Sequence, residues 1–315
     1  MILVAQLAVT IITSNESNAL LQKNANERLK NNAGKMDAFI TQWEENAWAT
    51  LNAIYELPDV QSAARNGTDR YVSPQLAQLF NTNKEMGGDW LYPNMLFLNT
   101  DGTFALGAHP DADGLNVMNI PPYIPNYEQA KQGTAWVSQV AESPVIKDLM
   151  EVWFSRPIMG EKGFMGMAVL PCQISGITHY MKTGDVDDNV WYVFVTDQSG
   201  TIAASTKDNL VNTNASDLNL PSGLRDGALF EYTSPDKVRV VGYKITHPTL
   251  GWEIYSMVDK SDMMQSNYLV VAILASLVAI VIASFIIYVI TSRNLAPIQT
   301  VTALAKRIAD GDTNI

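Results

Sequence analysis

Cysteine is almost missing from this chain of 315 residues: Cys172 stands alone. No intrachain disulfide can form, and no cage of thiolates can hold a metal. Cys172 lies in the apolar run GFMGMAVLPC, with no histidine close by in sequence to activate it, so it reads as a buried structural thiol and not as a nucleophile. Histidine is nearly as scarce. His109, His179 and His247 are far apart, and none has a second histidine or a glutamate at helical ligand spacing, which argues against zinc. Positive charge is in deficit, with 21 Lys and Arg against 32 Asp and Glu and a formal net charge of -11. Wrapping nucleic acid or lying on an anionic lipid surface needs concentrated Lys and Arg, so neither partner is expected. The segments HPDADG and DVDDN have some calcium-loop character. Pro122, however, stands where an EF-hand needs its bidentate glutamate, and the second segment lacks the turn glycine, so both read as solvated loops. No glycine-rich phosphate loop opens a helix and no serine sits in a nucleophile elbow; the expectation is no catalytic residue, no metal, no cofactor and no enzyme.

Charge of either sign is absent from Leu269 to Thr291, LVVAILASLVAIVIASFIIYVIT. As a helix this run covers a hydrocarbon core of about 30 Å, and apolarity on every face over such a length is rare in soluble domains. It predicts a transmembrane helix over residues 267–291. Arg293, Lys306 and Arg307 follow, so the positive-inside tendency puts residues 292–315 in the cytoplasm and the acidic region before the helix outside. The opening MILVAQLAVTII is apolar but too short to span, without the basic leader and cleavage site of a secretory signal. Residues 1–13 read as the outer end of a first transmembrane helix whose cytoplasmic part is missing.

Proline is absent between Asn15 and Tyr55, where Leu29, Ala33, Met36, Ile40, Trp43, Ala47, Leu51 and Ile54 recur every three or four residues. This predicts one long stalk helix over residues 14–58, ended by Pro58, whose stripe packs on its own domain or pairs with a second copy. A short helix over SPQLAQLFNTNKE takes Ser73 as its cap and Pro74 in its first turn. The period then changes to that of short antiparallel strands: Met95–Leu106, Trp136–Val140, Glu151–Ile158 and Phe164–Leu170. A second set covers Trp191–Thr196, Gly200–Ser205, Ala228–Thr233, Val238–Ile245 and Trp252–Met257. The hairpin NMLFLNTDGTFALG recurs in plan as VWYVFVTDQSGTIAAS, which implies tandem modules, residues 59–185 and 186–266, each built on one sheet. Between strands of the first module, NIPPYIPNYEQAKQG reads as a proline-rich loop of the kind that carries binding residues.

This order, with NLAPIQTVTALAKRIADGDTNI at its end, resembles the double Cache sensor region of bacterial transmembrane receptors, and covers almost the whole chain. The last stretch is similar to the start of a HAMP linker, whose first helix carries an early proline and ends in Gly-Asp, here Pro297, Gly311 and Asp312. The resemblance implies an α+β fold with two PAS-like antiparallel-sheet modules behind a long N-terminal helix, and a homodimer in the bacterial inner membrane with residues 14–266 periplasmic. It implies a small ligand held in the membrane-distal module and an output domain beyond this chain. Such receptors are most often methyl-accepting chemotaxis proteins; diguanylate cyclases and histidine kinases carry the same sensor, and a module that docks a periplasmic binding protein is a further alternative.

In amino-acid-sensing relatives an Arg-x-Trp-Tyr stretch holds the ligand carboxylate and a later aspartate holds its ammonium. Here Tyr127 matches the tyrosine, while Ile124 and Asn126 occupy the arginine and tryptophan places and Ala168 stands where the aspartate is expected. What remains is aromatic: Tyr123, Tyr127, Trp136, and Trp153 beside Arg156. Aromatic faces near Asp148 suit an amine, and Arg156 suits a carboxylate, so the ligand reads as an amine, an amino-acid-like molecule or a carboxylate. The same tryptophans also read as core, and an arginine before proline as a tie between segments.

Overall fold

The structure is a computed structural model that describes residues 2–83, 92–183, 191–263 and 268–309. Contacts divide the chain into two compact units. One is Ala25–Asp262; the other combines Met1–Asn24 with Met263–Ile315.

Helix α1 runs unbroken from Ile2 to Glu56. All eight residues of the predicted stripe are buried, with Trp43 the most exposed at 4%. From Ala33 to Ile54 they pack on one face of two sheets, against Phe97, Phe154 and Leu170 of the first and Val193, Val195 and Ile254 of the second. The stripe is therefore spent on its own domain and offers no seam to a second copy. Pro58 does end α1, but it also opens a further helix, α2 (Pro58–Asn66), because a proline in the first turn gives up an N–H that has no partner there. Ser73 caps α3 (Pro74–Asn83) as expected, its Oγ accepting from Leu76 N at 3.1 Å.

The first sheet contains β1 (Leu96–Leu98), β2 (Phe104–Gly107), β3 (Trp136–Val137), β4 (Ala141–Glu142), β5 (Met150–Gly160) and β6 (Gly163–Gln173), in the order β2-β1-β6-β5-β3 with β4 also on β5. Helix α4 (Ile124–Lys131) lies between β2 and β3, and α5 (Ser175–Thr183) follows β6. The second sheet contains β7 (Trp191–Thr196), β8 (Ile202–Ser205), β9 (Ala228–Thr233), β10 (Arg239–Thr246) and β11 (Glu253–Asp259), in the order β8-β7-β11-β10-β9. Every strand pair in the two sheets is antiparallel. A short helix, α6 (Lys260–Met263), precedes α7 (Tyr268–Ala309).

The repeat read in the hairpins extends to single hydrogen bonds. Val117 N donates to Gly102 O at 2.9 Å, and Ala215 N donates to Gly200 O at 2.8 Å. Asn116 and Asn214 bridge to Thr103 and Thr201, and each caps a short 3-10 helix that follows. Gly102 and Gly200 sit at φ of 84° and 83°, a region open to glycine because it lacks Cβ. The two modules differ in what covers the face away from α1. The segment read as a loop, residues 119–133, is instead a 3-10 turn at Pro121–Tyr123 followed by α4. Its prolines stand in first turns, where they start helices. The second module has only 3-10 turns in the corresponding stretch, over a cluster of Phe194, Ile202, Tyr255 and Met257.

The modules are joined by polar contacts as well as by α1. Asp197, 2% exposed in the β7–β8 turn, accepts from Val140 N of the first module through Oδ2 at 2.9 Å, while its Oδ1 accepts from Ser199 N and Thr201 N. His247, also buried, meets Thr41 Oγ1 of α1 at 3.1 Å.

In α7, Ala275–Arg293 is long and apolar enough to cross a membrane. Leu277, Val281, Phe285 and Tyr288 are 54–70% exposed, an apolar surface that water does not favour. Pro297 falls within the bounds of α7; Gly311, Asp312 and the DVDDN segment lie outside the described residues.

Candidate functional site

Strand β5 opens on Met150 and carries Glu151 next. Successive side chains on a strand point to opposite faces, so Glu151, Trp153 and Ser155 share the face away from α1, while Val152, Phe154 and Arg156 share the face toward it. Trp153 and Arg156, three residues apart, are therefore on opposite faces and do not form one site. The Arg156 guanidinium lies 3.8 Å from the centre of the Tyr55 ring and donates to Asn52 Oδ1 at 2.7 Å, both on α1. It ties the sheet to the stalk. Ala168 also faces α1, packed with Phe97 and Phe154, so the position expected to hold an ammonium partner looks away from α4.

Helix α4 is fastened to β5 through Asn126. Its Nδ2 donates to Trp153 O and Ser155 Oγ, both at 3.0 Å. The turn before α4 lays the Tyr123 ring flat on Trp153, 3.8 Å between centres and 6° between planes. Both residues are fully buried. Tyr127 is buried too, its hydroxyl donating to Thr100 O. Trp136, at the edge of the sheet, is half-buried, and Asp148 is exposed at φ 62° in the β4–β5 loop.

Beside the Tyr123–Trp153 stack is a cavity of about 450 Å³. Its walls are Glu151 and Trp153 of β5, Leu96 of β1 with Asn94 just before it, His109 and Asp111 after β2, Pro171 and Gln173 of β6, and residues 143–146 and Leu149 of the β4–β5 loop. Phe80, Tyr92 and Pro93 also line it. Of the six residues expected to bind ligand, Trp153 lines this cavity and Tyr123 backs it; Tyr127, Trp136, Asp148 and Arg156 do not line it.

The residue that sequence reasoning passed over is Glu151. It is 2% exposed and accepts from Trp153 Nε1 at 2.7 Å and from the Tyr123 hydroxyl at 3.4 Å, both on Oε1. Burial pushes its carboxyl up to about 7, against the smaller opposing pull of hydrogen bonds from Trp153, Ser143 and Tyr123. Burial, and next the nearby Glu151, raise the Tyr123 hydroxyl in turn. The same two causes raise the Cys172 thiol, which fits its reading as an inert buried group. A signal was available: Glu151 is the one charged residue on the Trp153 face of an otherwise apolar strand start.

At the rim His109 Nδ1 lies 2.9 Å from Asp111 Oδ2. Among the described residues no group of three His, Cys, Asp or Glu is arranged to hold a metal.

No protein-family profile matches the chain. No curated protein sequence matches it either. Solved structures do. The ligand-binding domain of the Pseudomonas aeruginosa PAO1 amino acid chemoreceptor PctB, in complex with L-Arg, has a TM-score of 0.56 at 15% identity over 78% of this chain and 98% of its own. That of the Campylobacter jejuni chemoreceptor Tlp3, with 4-methylisoleucine, has 0.56 at 16% over 79% and 94%. The sensor domain of the Vibrio cholerae histidine kinase DctB has 0.54 at 13% over 78% and 99%. At these identities the likeness is one of fold. The fold expected from the double Cache resemblance is the fold the chain has.

Proposed function

We propose that this chain is the sensing part of a membrane receptor: the first module binds a small polar molecule in the cavity beside Trp153 and Glu151, and α7 carries the response across the membrane. In this reading residues 14–266 are periplasmic, α7 spans the inner membrane, the C-terminus is cytoplasmic, two copies act together, and the chain catalyses nothing. The single observation that supports it best is that the two modules repeat one hairpin plan, yet the first is built around a 450 Å³ cavity with a buried carboxylate in its wall. That volume is in the range of small-molecule pockets, about 300–1,000 Å³. A ligand shifts such a receptor only through unequal affinity for two arrangements, and couplings of about 1–3 kcal/mol are usual. Chemotaxis is the preferred output. A kinase output uses the same sensing chemistry, as the fold shared with both kinds of receptor allows.

The test is thermal unfolding of the full chain in lipid nanodiscs against a broad metabolite panel. A binder at one hundred times its Kd stabilises by about 2.7 kcal/mol, and at least one metabolite is expected to raise the midpoint by several degrees. If none does, direct sensing is refuted and docking of a binding protein takes its place.

A further inference from the structure

Inside the cavity, charge is one-sided. Among the described residues its wall carries the carboxylates of Glu151 and Asp111 and no lysine or arginine. His109, its one other titratable nitrogen, is already drawn to Asp111. Glu151 is the buried member of the pair. The groups that meet it, Trp153 Nε1, Ser143 and the Tyr123 hydroxyl, are neutral donors, so its charge has no counter-charge among the described residues of the wall. Leaving a carboxylate desolvated and unpaired is costly, and structures keep such groups chiefly where something pairs with them. The wall next to it is the Trp153 ring, a surface that attracts cations by its quadrupole.

On these grounds we infer that the ligand of the cavity is an organic cation, a primary or quaternary amine without a carboxylate, with its charged nitrogen against Glu151 and Trp153. The inference rests on the sensing reading above and narrows it. An amino acid would bring an α-carboxylate into a wall that already holds two, with no basic side chain among the described lining residues to receive it: Ile124 stands at the arginine place of the amino-acid motif, and Arg156 faces α1. Asn94 adds a second preference. It is 5% exposed, its Oδ1 accepts from the N–H groups of Met95 and Ala108, and its Nδ2 has the Tyr71 hydroxyl as neighbour without completing a hydrogen bond. An amine that also carries a hydroxyl or amide oxygen would give that nitrogen an acceptor.

Binding is also expected to depend on pH. Among the described residues the titratable groups around Glu151 are Tyr123, Tyr92 and Cys172, all shifted to stay neutral, with Asp111 and His109 at the rim. An ammonium pairs with ionised Glu151, so affinity is level above about pH 7 and falls toward tenfold per unit below it.

The experiment is calorimetry on the full chain in nanodiscs with amines and the amino acids from which they differ by a carboxylate: putrescine and ornithine, tyramine and tyrosine, ethanolamine and serine, extended to choline and other amines of similar size. At least one amine is expected to bind, its amino acid at least about 30-fold more weakly, and Glu151→Gln to cost about 30-fold or more, as loss of one partner in a buried charge pair does. Asp111→Asn, a change on the exposed rim, is expected to weaken the same amine a few-fold. The inference is overturned if no amine binds, if an amino acid binds as tightly as its amine, or if Glu151→Gln binds the amine unchanged. Tight binding of an amino acid or a carboxylate with no amine binding would overturn this inference while leaving the sensing reading in place; silence across every metabolite overturns both.

Discussion

Trp43→Ala is expected to lower the free energy of unfolding by about 3–5 kcal/mol, the cost of removing a large aromatic side chain from a packed core. Trp43 is 4% exposed and meets both sheets. Its ring is 5.4 Å from Phe154 of the first, edge to face, and 5.8 Å from Trp252, just before β11 of the second. Alanine would open a void at the place where α1 holds the modules together, and rigid sheets on either side cannot collapse to fill it. Trp48, half-buried and in contact with Phe154 at 5.1 Å, serves as the control, with a smaller loss expected from its replacement. Urea denaturation followed by far-ultraviolet circular dichroism measures both. A loss below about 1 kcal/mol for Trp43→Ala would mean that α1 is not the common spine of the two modules.

Glu151→Gln is expected to have the opposite sign, stabilising the protein in a pH-dependent way. In the folded chain burial raises the Glu151 carboxyl from 4.5 to about 7. Between those values the folded state holds a proton that the unfolded chain has released, so folding stability declines as pH rises through this window and stays reduced above it. Glutamine keeps a carbonyl oxygen for Trp153 Nε1 and has nothing to ionise. The two proteins should therefore melt close together at pH 4 and separate as pH rises, with the variant a few degrees higher at pH 8. Equal melting at both pH values would show that Glu151 is not strained by ionisation. A group that costs stability while lining a cavity is the kind that function retains, which links this prediction to the site.

Much of the architecture was legible from periodicity. The stripe from Leu29 to Ile54 gave the stalk and its buried face, and the strands fell close to their expected bounds, because strong period-3.6 and period-2 patterns dominate local structure. One element of the fold was not legible. Prolines at 121, 122 and 125 read as loop punctuation, yet proline in a first turn is compatible with a helix, and α4 starts there. The site was only partly legible. Trp153 was named, but its pairing with Arg156 ignored strand parity, which separates them by the thickness of the sheet. Glu151, two residues before Trp153 and on its face, went unread because its surroundings come from Tyr123 in the turn before α4 and Ser143 in the β4–β5 loop, contacts distant in sequence. Tyr123 was recognised as aromatic; that it backs Trp153 by stacking, and does not face the cavity, is a tertiary fact.

Hydrogen exchange on the full chain, with and without a saturating concentration of the tightest-binding metabolite, tests the central claim most directly. Slower exchange is expected at the amides of residues 143–149 and 109–112, which border the cavity, with the matching 3-10 turn at residues 208–210 of the second module unchanged. Slowing confined to residues 208–210, or no change at residues 143–149, would contradict a ligand site in the first module.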